Sequence, residues 1–361
     1  MVTSLPGAAP DVRWLAAVVL GGQGRYAAAA TLLGGLVADR AVPAALAAHA
    51  AVTLGAHRRQ LGGHAAARRW DALGLRLAAA ACRDGHGSRP GPSAPAVAGA
   101  DVADVADVCA PSAGPGVRTP SAARPDASAG LDAGSARIDA LVGLAADALG
   151  TLDLAGAHRL LAAADRLLLG AAPFGAAPQP SGAGAAAPVP RPRAAPDMTA
   201  PPAPGAWRPG VRAHWVRAEL ALVEGRAADA VAPAEAALAA ARRAGALRHA
   251  LKSRIVLAVA RAAADPAVVP EVVDELTTAR DEAADHGLLP LVWPAAIAAA
   301  DLLRHADPRA ESGMRHTAMH TMSVLKSYAD PVGRRLMGES VWVPRVAVGS
   351  LTAPFGPSSP T

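Results

Sequence analysis

Hydrophobic and polar positions follow one another along this chain with the period of a helix. Val12, Leu15, Ala16 and Val19 fall at the i, i+3, i+4 and i+7 spacing of one helical face. Val211, Trp215, Ala218 and Leu222 do the same, as do Leu251, Ile255 and Ala258, and then Val272, Leu276, Ala279 and Ala283. Pro43, Pro270 and Pro308 suit first-turn positions, and Asp307 suits the cap of a helix that Pro308 begins. No run of alternating β-branched residues offers a set of strands.

Two stretches break the periodicity. Residues 83–135 and 171–206 are rich in Pro, Gly, Ala and Ser without a repeat period. Such segments bury too little apolar surface to offset chain entropy, so both are expected to be disordered linkers. "ADVADVADV" in the first is read as low complexity. The expected order is a flexible N-terminus at 1–10, helical hairpins at 11–82 and the first linker. A hairpin at 136–170, the second linker, a helical region at 207–345 and a flexible tail at 346–361 follow.

Composition narrows the picture. The chain has 361 residues and is 52% hydrophobic, yet aromatics make up only 3%. Much of the apolar content is alanine, the best helix former and a poor source of buried area. The core must therefore come from close helix packing. The net charge is +5, and Lys252 and Lys326 are the only lysines, so the basic balance is arginine. Abundant Arg, Ala, Gly and Pro point to a GC-rich, bacterial coding sequence rather than to nucleic-acid binding. Cys82 and Cys109 make neither a disulfide framework nor a zinc site. No signal peptide and no apolar run of membrane-spanning length is apparent. A cytoplasmic location is expected.

The segment "LAAVVLGGQGRYAAAATLL" (15–33) contains Gly22-Gln23-Gly24 and then Ala27, a G-x-G-x-x-A pattern. A dinucleotide-binding turn needs a strand before it, a second strand after its helix, and an acid ending that strand. The region after Asp39 is helix-like, so the requirement fails. Two helices joined by a glycine turn fit better, and the pattern recurs in "HRRQLGGHAAARRW" (57–70), "LDLAGAHRLLAAADRLL" (152–168) and "LVEGRAADAVAPAEAAL" (222–238).

These segments resemble the tetratricopeptide repeat (TPR). Leu54 and Gly55 match the leucine-glycine pair of its first helix, and Gly24, Gly62 and Gly225 match its turn glycine. Tyr26 matches the aromatic that opens the second helix. Ala29, Ala67, Ala157 and Ala230 match the small residue of that helix, and Ala164 and Ala237 the later one. Departures are clear. Gly24 and Gly62 lie 38 residues apart, against a family period of about 34, and Trp14 and Trp215 are displaced by one position. The resemblance implies an all-α chain of stacked antiparallel helical hairpins, a TPR-like α-solenoid interrupted by linkers, with a concave surface that binds a partner peptide or helix.

Candidate chemistry is sparse. His316 and His320 share a helix face with Met319 beside them, a weak candidate for a soft metal ion. The competing arrangement packs Met314, Met322 and Leu325 inward and leaves the histidines in water. His49, His57 and His64 also cluster, as structural or solvated residues. Arg58, Arg59, Arg68 and Arg69 with Trp70 form a basic edge that would suit phosphate or an acidic partner. "GALRHALKSR" (245–254) is a second basic face, expected to be solvated. Asp281, Glu282, Asp285 and His286 form a polar helix end. Ser253 and Ser323 have no evident base, and G-x-S-x-G, P-loop, H-E-x-x-H and C-x-x-C patterns are absent. The sequence reads as a non-enzymatic protein-interaction scaffold or adaptor, possessing no cofactor and binding no membrane. The alternative is a nucleic-acid-associated regulator that uses the arginine edge.

Overall fold

A computed structural model describes residues 8–83, 131–170 and 207–343. Among these the fold is all-α, with thirteen helices and no strand. They are α1 (Pro10–Gly22), α2 (Tyr26–Ala38), α3 (Ala44–Gln60), α4 (His64–Arg83), α5 (Ala133–Gly150), α6 (Leu154–Gly170) and α7 (Trp207–Val223). Then come α8 (Ala227–Arg243), α9 (Leu247–Ala264), α10 (Val269–Asp285), α11 (Leu289–Leu303), α12 (Pro308–Ser327) and α13 (Pro331–Glu339). The α5 helix begins inside the stretch expected as linker, because Asp132 accepts a hydrogen bond from the Ser135 amide and caps it. "ADVADVADV", Cys109 and the segment 171–206 lie outside the described residues, as does the tail.

Six of the connections are three-residue turns with one construction. The middle residue takes a positive φ: Gly24 (81°), Gly62 (78°), Leu152 (62°), Gly225 (73°), Gly245 (61°) and Gly287 (65°). The residue after it donates its amide to a carbonyl five positions back, as in Arg25 to Leu20 at 2.8 Å and Arg226 to Ala221 at 2.8 Å. This Schellman closure satisfies carbonyls that the helix end would otherwise orphan. The G-x-G-x-x-A segment is therefore helix, turn, helix. At α12, Asp307 accepts from the Arg309 and Ala310 amides, with Pro308 in the first turn.

Each helix packs against the next, with the lightest contacts at α6–α7 and α12–α13. The odd-numbered helices also meet in succession, α1 with α3, α3 with α5, α5 with α7, α7 with α9 and α9 with α11. Alanine permits this closeness. Ala29, Ala67, Ala157, Ala164, Ala230 and Ala237 are all fully buried. The apolar stripe of α1 is a correction. Val12, Leu15 and Val19 are exposed, at 47, 56 and 52%, while Trp14, Ala17 and Leu20 face inward. Two adjacent faces of α1 are apolar, and the one that wins carries Trp14, whose indole N–H finds Thr53 Oγ1 at 3.1 Å.

The last helices return to the first. Met322, Leu325, Ala329, Met337 and Val343 form one apolar cluster with Tyr26 and Leu61. The Ala27 amide donates to the Tyr328 carbonyl at 2.9 Å, and the Trp342 indole donates to the Gly150 carbonyl at 2.8 Å.

Candidate functional site

The helices α1, α3, α5, α7 and α9 turn polar side chains toward one another around a cavity of about 100 Å³. Trp14 comes from α1; His49, Thr53, His57 and Gln60 from α3; Asp139 from α5; Arg208 and Arg212 from α7; Arg248 and His249 from α9. These positions recur at one-turn spacing, which puts them on a single face of each helix.

Asp139 is the pocket's one carboxylate. Arg208 donates to it through Nε at 3.1 Å and a terminal nitrogen at 2.7 Å, and Arg212 donates to its other oxygen. Burial pushes its carboxyl up, but Arg212 and Arg208 override that and hold it at about 2. It is ionised whenever the protein is folded at neutral pH.

The histidines are neutral. Burial, and then Arg208, lower His49 to about 4. One His49 ring nitrogen, Nε2, lies 3.1 Å from the Asp132 carbonyl and so carries the proton. That leaves Nδ1 to accept from Arg208 at 3.2 Å. Burial lowers His57 to about 3, with Arg248 and Arg58 adding to the effect. Its ring lies where a Cβ on Gly21 would stand, so α1 can approach only through a glycine. His249 also falls to about 3, chiefly by burial. It stacks on Trp215, with ring centroids 5.4 Å apart, and meets the Trp207 ring edge-on at 5.1 Å.

Arg248 differs from its neighbours. It makes no ion pair or hydrogen bond, and its Nε is buried without a partner. Its side chain runs past Gly22, with Tyr26 among its electrostatic neighbours. Burial depresses its pKa, Tyr26 partly offsets this, and Arg212 lowers it further. The expectation that residues 245–254 form a solvated basic face is corrected here. Arg248 and His249 line the cavity, and Lys252 pairs with Glu219 at 3.4 Å over the Trp215 ring. Ser253 is fully buried and accepts from the Trp215 indole at 2.8 Å.

A second polar cluster joins α3, α4 and α5. Arg59 pairs with Asp71 at 2.8 Å and with Asp147 at 3.0 Å. Asp71 is fully buried. Its carboxylate lies 2.9 Å from where a Cβ on Gly55 would stand and 2.5 Å from one on Gly143. The Gly55 that resembles a repeat glycine thus makes room for a carboxylate as well as for a helix. Burial drives Asp71 well above the usual range, against Arg59. Burial likewise raises Asp147 to about 6. One oxygen of each lacks a hydrogen bond, Oδ1 of Asp71 and Oδ2 of Asp147. Two buried carboxyls around one guanidinium favour protonation of the pair, so they do not titrate independently.

The arginine edge read from the sequence is divided. Arg58 is buried and grips Asp330 with two hydrogen bonds of 2.7 and 2.6 Å. Arg59 is occupied by the two aspartates, whereas Arg68 is half-buried and Arg69 exposed. His49 and His57 are buried and His64 half-buried, with burial lowering His64 to about 4. His316 and His320 are exposed on α12 with Met319 half-buried beside them, while Met322 and Leu325 face inward. Among the described residues no group of three His, Cys, Asp or Glu is placed to hold a metal. No described helix is long and apolar enough to cross a membrane. A separate groove of about 530 Å³ lies between α6, α7 and α8. Its charges are mutually paired, Arg217 with Asp165 and Arg226 with Glu224 and Asp229.

The sequence did not assemble the pocket, because its residues come from five helices, separated by up to 235 positions from Trp14 to His249. It offered only fragments, the His49 and His57 pair and the basic run that contains Arg248 and His249; Asp139, Arg208 and Arg212 carried no local signal. Comparison with protein-family models, with curated proteins and with solved structures found no match to this chain.

Proposed function

We propose that this protein is a non-enzymatic interaction scaffold of TPR-like helical hairpins that holds a partner peptide or helix against the face formed by its odd-numbered helices. The observation that carries the reading is the succession of contacts α1–α3–α5–α7–α9–α11. In a two-layered stack of hairpins the first helix of each hairpin meets the first helix of the next. The positive-φ turns and the buried alanines at matched positions support the same architecture. The face so formed carries charged side chains, among them Lys252, 36% exposed above the buried Trp215 ring. A basic group held in place over a buried ring offers a peptide a charged contact.

The test is affinity capture from native extract at low and high salt, with the wild-type chain and Lys252→Glu compared. A protein retained at high salt by the wild type and lost by the variant supports the reading. Nucleic acid released by salt instead would favour the arginine-edge alternative. Equal capture by both chains would move the binding face elsewhere.

A further inference from the structure

We infer that the cavity between α1, α3, α5, α7 and α9 is a binding site for a small phosphate-class oxyanion. The argument is an accounting of its polar groups. The acceptors are committed: the Asp139 carboxylate takes three N–H groups from Arg208 and Arg212, and His49 Nδ1 takes a fourth. Thr53 accepts from Trp14 and donates to the His49 carbonyl at 2.7 Å. The Gln60 side-chain oxygen accepts from the Tyr26 hydroxyl at 2.8 Å.

What remains uncommitted is donors. Arg248 makes no protein hydrogen bond and its Nε is buried without a partner, Arg212 has engaged one of its nitrogens, and the Gln60 amide nitrogen has no protein acceptor. His57 Nδ1 is also without a partner on a ring that is 6% exposed. It joins the donors in the tautomer that places the proton there.

Charge points the same way. Three guanidinium groups face one carboxylate, and the histidines are neutral, so the pocket holds a surplus of two positive charges. An enclosed cation without a counter-charge is costly to maintain. An oxyanion carrying roughly −1.5 to −2 charges, as a phosphoryl group does at neutral pH, balances that surplus and accepts every free donor. Size sets the upper limit. The volume of about 100 Å³ exceeds a water's share of roughly 30 Å³. It falls well short of the roughly 300–1,000 Å³ typical of larger organic ligands. A phosphate group fits, and an extended peptide does not, so the cavity takes a ligand of a different class from the partner proposed for the face of the same odd-numbered helices.

The experiment uses the full chain. Inorganic phosphate, sulfate and acetate are titrated by calorimetry and by thermal unfolding, at constant ionic strength made up with sodium chloride. Phosphate is expected to bind once per chain and to raise the unfolding temperature with saturation, with sulfate alike and acetate far weaker. Arg248→Gln should weaken phosphate binding roughly ten- to hundredfold, the worth of one charge-assisted interaction. Gln60→Glu keeps an acceptor for Tyr26 and delivers the chain's own carboxylate to the donors. It should abolish the response while the far-ultraviolet circular dichroism stays unchanged. A wild-type response no greater than that to chloride overturns the inference. So does undiminished phosphate binding in both variants, or acetate binding as tight as phosphate. The readout needs no partner protein, so its failure is separable from failure of the scaffold reading.

Discussion

Arg58 and Asp330 lie 272 positions apart and meet in a two-pronged ion pair at 2.7 and 2.6 Å. Arg58 lies in the last turn of α3, and Asp330 caps α13 by accepting from the Gly333 amide at 2.6 Å. The pair fastens the last helices to the first third of the chain. Asp330→Asn keeps the cap and removes the charge; Arg58→Met keeps much of the volume. Each is expected to destabilise the fold by roughly 1–3 kcal/mol, the range for a partly buried charged hydrogen bond. Urea unfolding measures this, and hydrogen exchange should show α13 losing protection first. Unchanged midpoints in both variants would show that the pair contributes nothing.

Gly143→Ala tests the cradle around Asp71. Alanine favours a helix over glycine by about 1 kcal/mol, so an open helical site would gain stability. Here the new methyl would stand 2.5 Å from the Asp71 carboxylate. Overpacking of that kind costs about 1–3 kcal/mol, and a net loss is expected. In the double variant with Asp71→Ala, the two effects should fall short of their sum. Strict additivity would mean that the two residues do not touch.

Gly24 and Gly225 separate backbone strain from crowding. Both have positive φ, at 81° and 73°. A Cβ on Gly225 meets nothing within 4 Å, whereas one on Gly24 overlaps the Leu325 side chain. Gly225→Ala should cost about 1–2 kcal/mol, the left-handed penalty alone. Gly24→Ala should cost more, because Leu325 must move as well. Equal unfolding midpoints for the two variants would sink the docking of α12 on the first turn.

Stability should fall with acid. Burial holds His49 and His64 at about 4 and His57 and His249 at about 3. An unfolded chain takes up these protons near pH 6.5. Below that pH the unfolded state binds more protons than the folded one, so stability present above about 6.5 is lost as pH falls toward 4. Asp147, raised to about 6, acts in the opposite direction, because the folded state then holds a proton that the unfolded state has released. Asp71, also raised by burial, acts in the same direction as Asp147, and four histidines outweigh that one pair. Urea midpoints measured from pH 7.5 to 4.5 should decline throughout, and a flat profile would contradict the neutral histidines.

Helices, turns and small-residue positions were legible in the sequence, because each depends on a few neighbouring residues. The 3.6-residue period and the proline positions are local, and so is the glycine two residues past a helix end. Gly24, Gly62 and Gly225 sit at positive φ in turns between helices, and Ala29, Ala67 and Ala230 are buried where helices meet. Long-range matters belonged to the tertiary structure alone. Which apolar face of α1 turned inward was decided by Thr53 and His49, on another helix, offering Trp14 a hydrogen bond and a ring to pack on. That Arg248 stands beside Arg208 and Arg212 without an ion-pair partner, while Arg58 and Arg59 are spent on Asp330, Asp71 and Asp147, follows from charges brought together across the stack. Local spacing fixes the direction of a side chain on its own helix. The charge it meets depends on how all the helices pack, and the sequence holds that information only collectively.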